Sequence, residues 1–344
     1  MNTLPVFAES TPAPAPARNW IKTLSQYREP SDLRSSYEIA VTAIPFLALW
    51  ALAWWSMSLS YWLAFGLSLL IAPFVVRLFT IQHDCGHSAF FRNRKVGDWV
   101  GRVLGVFTLS PYDYWKRVHS EHHSGSGNLD KRGLGDVNTL TVSEYRALSP
   151  LGRLAYRAYR NPITLFGIGP AAVFFLQYRL PLGLMNSLKY WVSAMSTNLV
   201  ILAALTTIWY FGGWTPILLI FVPSTLLAAT MGVWLFFVQH QFETTHWDKH
   251  EDWDLHEAAL YGSSHYVMPK ILQWFSANIG IHHVHHLYSR IPFYRLPDVI
   301  RDHAELADNN RMTIRESLRC AKLHLWDENS RRLLSFAEAR ALYG

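Results

Sequence analysis

The residues of this sequence that most clearly indicate a chemical function are its histidines. The 344 residues include 16 histidines, and many of them lie close together. Three clusters occupy residues 83–87, 119–123 and 282–286, and His240 is a fourth, isolated candidate. In a helix, residues at i, i+3 and i+4 share one face. Each cluster therefore presents two or three imidazoles toward a common centre.

This spacing predicts metal binding by nine histidines. They are His83, His87, His119, His122, His123, His240, His282, His285 and His286. Nine ligands are too many for one ion and suit two, whereas a zinc hydrolase uses three protein ligands and an open position. Imidazole binds zinc, copper, iron and nickel alike. We favour two iron ions, because iron supplies redox chemistry and the histidines border long apolar segments.

The apolar segments predict two transmembrane hairpins. Residues 39–76 and 190–242 contain no Asp, Glu, Lys or Arg, and a helix crosses the hydrocarbon core of a bilayer with about 20 residues. The predicted spans are residues 39–58, 61–81, 191–211 and 214–239. The second hairpin turns at the helix-breaking pair Gly212 and Gly213. Arg77 is expected to snorkel from the end of the second span.

Two shorter apolar runs, residues 96–110 and 163–177, are interrupted by glycine or proline. They are too short to span, and we expect interfacial or re-entrant segments; the alternative is that they are helices of a domain outside the membrane. Lys and Arg fall in the N-terminal, middle and C-terminal segments and are missing from both hairpin turns. The positive-inside rule then places those segments, and the histidines, on the cytoplasmic face.

The composition agrees with a membrane protein. Charged residues make up 16% of the chain, whereas soluble domains have roughly a quarter. The 15 Trp, 16 Tyr and 19 Phe exclude intrinsic disorder. Cys85 and Cys320 are too few for a disulfide framework or a structural zinc site. The net charge of +6 follows from the topology and does not require nucleic-acid binding.

The predicted fold class is all-α: two transmembrane helical hairpins, with four spans, under a cytoplasmic helical cap that holds a histidine-rich di-metal site. Residues 1–34 are expected to be a flexible N-terminal tail rather than a cleaved signal peptide. The membrane domain is expected at residues 35–325. Residues 326–344 are expected to form a cytoplasmic helical tail.

The clusters and their surroundings resemble the membrane fatty acid desaturases. The motifs HxxxH, HxxHH and HxxHH alternate with paired apolar spans, and the resemblance covers roughly residues 35–325. The similarity to a bacterial acyl-lipid type related to omega-6, or delta-12, desaturases lies in residues 82–91, 128–130 with 135–136, 238–243, and 279–287 with 289–292. The resemblance implies a non-haem di-iron centre held by the nine histidines, in the bacterial inner membrane with its active site on the cytoplasmic face.

The resemblance also implies a reaction. O2 is the co-substrate, and a second, cis double bond is introduced toward the methyl end of a lipid acyl chain. The reaction needs two electrons from outside, and the sequence has neither a GxGxxG motif between strand and helix nor cysteines for an iron–sulfur cluster. We therefore expect an electron donor such as ferredoxin or another small redox protein.

Two other functions are alternatives to a desaturase. A di-iron hydroxylase or ketolase acting on an alkyl or isoprenoid lipid would use the same chemistry, and no residue separates it from a desaturase. A metal transporter would bury ionisable ligands within its spans, whereas these spans have histidine only at their ends. The transporter is therefore the poorer interpretation.

Residues near the clusters leave several assignments open. In a related acyl-CoA branch an Asn four residues before the isolated histidine is also a ligand; Phe236 occupies that position here. A water molecule or Glu243 would have to replace it. His246 and His250 are alternative ligands that lie off the helical face of His240. His283 either orients a neighbouring ligand or pairs with His286 in a shifted register.

Other neighbours have supporting roles or none. Asn128, Asp130 and Asp136 are candidates to accept the outer N–H of a ligating histidine, and the alternative is a solvated loop. Basic residues crowd the segment around the second cluster and reflect either topology or a docking surface for an acidic electron donor. They are Lys116, Arg117, Lys131, Arg132, Arg153, Arg157 and Arg160.

Overall fold

The computed structural model describes residues 17–133 and 135–344. The helices of its first half are α1 (Ala17–Leu24), α2 (Asp32–Ser56), α3 (Tyr61–Gly86), α4 (Arg94–Phe107), α5 (Tyr112–Gly125), α6 (Val142–Ala147), α7 (Pro150–Tyr159), α8 (Gly169–Ala171) and α9 (Leu188–Gly212). Those of its second half are α10 (Trp214–Pro216), α11 (Val222–His240), α12 (Leu255–Tyr261), α13 (Lys270–Phe275), α14 (His282–Leu287), α15 (Leu296–Asp302), α16 (Ala304–Ala307), α17 (Ile314–Cys320) and α18 (Phe336–Tyr343). The short strands are β1 (Leu140–Thr141), β2 (His265–Val267), β3 (Arg311–Thr313), β4 (Leu325–Asp327) and β5 (Arg332–Leu334).

The described chain contains four helices long and apolar enough to cross a membrane. They are α2, α3, α9 and a fourth span, Trp214–His240, which joins α10 and α11 through a π-helical turn at Ile217–Phe221. The four predicted spans are thereby confirmed. Serine side chains define two of the helix starts, because Ser31 accepts a hydrogen bond from the Arg34 N–H and Ser60 from the Leu63 N–H.

The second span, α3, is the centre of the bundle. Its most apolar window is 56% buried, more than that of any other span. Ile71, Leu78 and Ile81 are fully buried there and belong to the largest apolar cluster. This cluster also includes Phe46 of α2 and Ile220 of the fourth span. The helix that carries the first histidine cluster is therefore held on several sides.

The two shorter apolar runs form helical segments of different kinds. The first is α4, whose Gly101 and Leu104 are buried while Trp99 is 65% exposed. The second contains π-helical turns at Thr164–Ile168 and Ala172–Leu176 and a 3₁₀ turn at Gln177–Arg179. The exposed apolar side chains of both segments agree with a position at the membrane interface.

The cap is helical apart from two small sheets that sequence analysis did not predict. One has the order β1-β4-β5, in which β4 pairs in parallel with β1 and antiparallel with β5. In the other, β2 pairs in parallel with β3, and Tyr266 lies opposite Met312. These pairings join distant parts of the chain, so periodicity within one segment could not reveal them. The prediction of a mostly helical fold with four spans under a cap is confirmed.

Both ends of the chain differ from the expected tails where they are described. Residues 1–16 of the predicted N-terminal tail lie outside the described residues. Residues 17–27 form α1 and a 3₁₀ turn, Leu24 and Tyr27 are buried, and the Tyr27 hydroxyl donates to Asp302 (2.8 Å). Residues 326–344 include β5 and parts of β4 as well as α18, so they are not a purely helical tail.

Arg77 does not snorkel, and that prediction is wrong. Its side chain is only 2% exposed, and its guanidinium forms an ion pair with Glu38 of α2. It also donates to the Thr42 hydroxyl (3.0 Å) and to the Trp274 carbonyl oxygen. A buried carboxylate was available one helix away, so the cation is neutralised inside the protein.

Candidate metal centre

Each histidine cluster lies where a helix ends or turns. His83 occupies the last turn of α3, and His87 is the residue just after that helix. The second cluster lies on the last turns of α5, the third forms α14, and His240 ends α11. Four separate segments therefore bring their imidazoles to one level of the molecule.

The structure brings five of the predicted ligands into one group. It consists of His83, His87, His119, His123 and His285, and one ring nitrogen from each lies within 4.8 Å of the others. His119 Nε2 is 3.0 Å from the Nε2 atoms of both His87 and His123. His285 Nε2 is 3.2 Å from His123 Nε2. We call this the five-histidine group.

The other four predicted ligands form an adjoining group. It consists of His122, His240, His282 and His286, again with one nitrogen each within 4.8 Å. His240 Nε2 lies 2.9 Å from His282 Nε2 and 3.2 Å from His122 Nε2. We call this the four-histidine group.

The two groups share the same backbone segments. His122 and His123 are consecutive but point into different groups, and the same holds for His285 and His286. The rings of His123 and His286 stack across the boundary with centroids 4.1 Å apart. The nine residues thus form one centre with two ligand sets.

The electrostatics of the centre favour neutral imidazoles. Burial lowers the pKa of His119, His123 and His285 well below the ordinary 6.5, and neighbouring histidines lower the pKa further. A neutral ring has a lone pair for a metal. Ring nitrogens face one another at about 3 Å, and His286 Nε2 is buried with no hydrogen-bond partner in the described part of the chain. These residues fit two metal ions.

Hydrogen bonds orient the outer nitrogen of several rings, as is usual for metal-binding histidines. His122 Nδ1 donates to Asp136, His83 Nδ1 to Asp84 (3.2 Å) and His240 Nδ1 to the Gly262 carbonyl oxygen (3.3 Å). In each case Nε2 is left to face the group.

The contact between Asp136 and His122 depends on a glycine. Gly135 has φ +89°, a backbone conformation that residues with a side chain rarely adopt. A Cβ at this position would lie 3.1 Å from the Val118 carbonyl oxygen. Glycine therefore lets the loop approach α5 closely enough for Asp136 to reach His122. Of the three polar residues considered for this role, Asn128 and Asp130 instead contact His250, through its ring and its backbone N–H respectively.

Several alternative ligands lie outside both groups. His246 pairs with Asp248 (2.7 Å), and Glu243 pairs with Arg332 (3.0 Å). His283 is fully buried, and its Nε2 donates to the Leu306 carbonyl oxygen (2.8 Å). The register with His282 is therefore the one in which the side chains converge, and Glu243 is not placed to replace the missing Asn.

Two aromatic neighbours of the centre were not predicted. Trp115 stacks on His119, with ring centroids 4.8 Å apart and planes 13° from parallel. The ring centroids of Phe236 and His122 are 4.9 Å apart. Trp115 lies four residues before His119, and Phe236 four before His240. This i−4 spacing puts each ring on the same helical face as a predicted ligand. It is the feature of the sequence from which the two contacts could have been predicted.

Most of the basic residues around the second cluster already have partners. Arg132 makes a two-pronged ion pair with Glu144, and Lys116 pairs with Asp98. Arg160 is fully buried and donates to Gln241 (3.0 Å). These internal contacts weaken the case for a docking surface at this segment.

The family described as "Fatty acid desaturase" matches residues 60–317, a range that includes all nine clustered histidines. The chain belongs to the fatty acid desaturase family. It is therefore an enzyme, an oxidoreductase, as the resemblance implied.

Several fatty acid desaturases are similar to this chain. The "Fatty acid desaturase" of Bacillus subtilis (strain 168) is 41% identical over 315 residues, which are 92% of this chain and 89% of the relative. The "sn-1 oleoyl-lipid 12-desaturase" of Synechocystis sp. is 25% identical over 75% of this chain and 71% of its own. The "sn-1 acyl-lipid omega-3 desaturase (ferredoxin)" of Nostoc sp. (strain 36) is 28% identical over 64% and 61%.

Proposed function

We propose that this desaturase uses O2 to introduce a cis double bond into a lipid acyl chain, through two iron ions held by the nine histidines. One observation carries the proposal: consecutive histidines point into two adjoining ligand groups, so two ions would lie close enough to act on one substrate. When bound, the iron pair would supply the oxidising chemistry. The ligand sets would be the five-histidine and the four-histidine groups.

The protein's part is to hold and position. Asp136 and Asp84 keep imidazoles in the orientation and tautomer that leave Nε2 free. Trp115 and Phe236 cover the rings with apolar surface. The methylene groups of an acyl chain are chemically alike and differ only in their position along the chain. The choice of the bond that is desaturated must therefore come from how the protein binds and positions the acyl chain.

The substrate proposed here is an acyl chain that already has one cis double bond, with the second introduced at the delta-12, or omega-6, position. Its support is the resemblance of the histidine clusters together with the similarity to the sn-1 oleoyl-lipid 12-desaturase of Synechocystis sp.. A cis double bond puts a rigid kink in the acyl chain. A bent channel that binds this kink would fix which carbons of the chain lie at the metal centre. A saturated chain has no such kink.

We place the desaturase domain at residues 35–325, in a bacterial inner membrane with the centre on the cytoplasmic face. This placement is supported by the positive-inside rule, because α3 and α11 both end in histidines and both lead into segments that contain Lys and Arg. The proposed electron donor is a small redox protein such as a ferredoxin.

Lipid analysis tests the proposal. The chain is expressed in a bacterium whose lipids contain monounsaturated but not diunsaturated acyl chains, and double-bond positions are determined by mass spectrometry. The expected products are dienes with the new cis bond toward the methyl end, and none should form with the His285→Ala variant. Monoenes made from saturated chains would contradict the regiochemistry, and hydroxy acids would indicate a hydroxylase.

A further inference from the structure

One exposed helix face of the cap combines cations with apolar side chains. Ile314 and Leu318 of α17, four residues apart on one helical face, are 37% and 60% exposed. Exposed basic residues surround them on α17 and at both of its ends. The set, which we call the α17 surface, is Arg311, Ile314, Arg315, Leu318, Arg319 and Lys322.

The α17 surface has four cations and, among the described residues of the same helix, one carboxylate, Glu316, which interacts electrostatically with Arg311 and Arg319. None of its four basic side chains forms an ion pair with any described residue. The carboxylate on the same helix, Glu316, accepts hydrogen bonds from the Thr313 N–H and hydroxyl (both 2.7 Å) and so caps the helix. The surface therefore attracts an acidic partner, whereas Lys116 and Arg132 near the second cluster are already paired.

The buried side of α17 is connected to the four-histidine group. The Ser317 hydroxyl lies 3.1 Å from the Tyr266 hydroxyl, and Tyr266 belongs to β2, which pairs with β3 just before α17. Ser264, next to β2, accepts a hydrogen bond from the His282 N–H (3.2 Å). Few residues thus separate the exposed cations from a proposed metal ligand.

We propose that the α17 surface is the docking site for the electron donor, an acidic one-electron carrier protein of the ferredoxin type. The proposal rests on the proposed function. Each turnover converts –CH2–CH2–, O2, two protons and two electrons into –CH=CH– and two waters. O2 accepts four electrons, two from the C–H bonds that break and two from two reduced carrier molecules.

Docking at this surface has a physical basis. Basic side chains around a small apolar centre would steer an acidic protein electrostatically and let it bury apolar contact area. An anionic membrane would attract the same cations. The connection to His282 favours the redox protein, and the membrane is an alternative that the experiment separates.

The experiment compares Arg319→Glu with Arg340→Glu. Arg340 is exposed on α18, has no ion pair with a described residue and lies outside the α17 surface. Each variant is purified, loaded with iron, and reconstituted into nanodiscs with neutral or anionic lipid. Binding of an acidic [2Fe–2S] ferredoxin is measured directly, and KM for the ferredoxin is measured from product formation.

The expected result is that Arg319→Glu weakens ferredoxin binding and raises KM at least about tenfold at low salt, whereas Arg340→Glu changes both less than about twofold. The difference should shrink as salt is raised, because screening weakens exposed charges. Arg319→Lys, which keeps the positive charge, should bind ferredoxin nearly as well as wild type. Iron content should be equal in all variants, which shows that the centre is intact.

Two results would overturn the docking site. One is equal ferredoxin binding by Arg319→Glu and Arg340→Glu. The other is a change that depends on anionic lipid while ferredoxin binding stays the same, which would assign the surface to the membrane. Failure of the proposed function is distinguishable: wild-type protein that binds ferredoxin through Arg319 but forms no unsaturated product would refute the reaction and retain the surface.

Discussion

The buried ion pair between Glu38 and Arg77 gives the sharpest prediction about stability. It joins the first two spans, and Arg77 also donates to the Trp274 carbonyl oxygen just before the segment that leads to the third histidine cluster. Both side chains are almost fully buried. Arg34 forms a second ion pair with Glu38 (2.7 Å), but Arg34 is half exposed.

The substitution Glu38→Gln keeps the size of the side chain and removes its charge. Arg77 would then be a buried cation without a counter-charge, and removal of one partner of a buried pair destabilises a protein by about 3 to 5 kcal/mol. The exposed pair with Arg34 contributes only about 0 to 1 kcal/mol. The burial of Arg77 therefore determines the expected size of the effect.

The assay is reversible unfolding in mixed micelles, followed by tryptophan fluorescence, with Arg34→Gln as the matched control. Glu38→Gln should lower the free energy of unfolding by about 3 to 5 kcal/mol, and Arg34→Gln by no more than about 1 kcal/mol. The double variant Glu38→Leu with Arg77→Met should recover most of the loss, since it leaves no buried charge. Equal effects of Glu38→Gln and Arg34→Gln would show that the buried charge of Arg77 does not determine the loss of stability.

Three further predictions concern the centre. His122→Ala and His285→Ala should each reduce product formation below about a tenth of wild type, a barrier increase of more than roughly 1.4 kcal/mol, with membrane insertion unchanged; higher activity in either variant would remove that residue from the ligand set. His246→Ala should keep substantial activity in the same assay, because His246 pairs with Asp248 outside both groups, and loss of activity would contradict this. Asp136→Asn should weaken iron affinity about 10- to 100-fold, measured by competition with a chelator, and an unchanged affinity would count against its role in orienting His122.

The spans and the centre could be predicted because their signals are local. Long segments without charge indicate transmembrane helices, and the i, i+3, i+4 spacing puts neighbouring imidazoles on one helical face. The same spacing does not say which histidine belongs to which group. The division of His122 from His123, and of His285 from His286, depends on how the four segments pack together.

The features that were not predicted depend on contacts between distant segments. Arg77 looked like a snorkelling cation because its partner, Glu38, is 39 residues away along the chain. The β1–β4 pairing joins Leu140 to Leu325. The helical start of the described chain was also missed, although Trp20, Leu24 and Tyr27 follow the spacing of one helical face.

The number of iron ions bound per chain is best measured by metal analysis of the purified protein. The protein is loaded with iron under reducing conditions, its metals are counted by mass spectrometry, and the iron environment is examined by Mössbauer spectroscopy. We expect two irons per chain in nitrogen-rich sites, with the count reduced in His122→Ala and in His285→Ala. A single zinc per chain, or no more than one iron per chain after full loading, would contradict it.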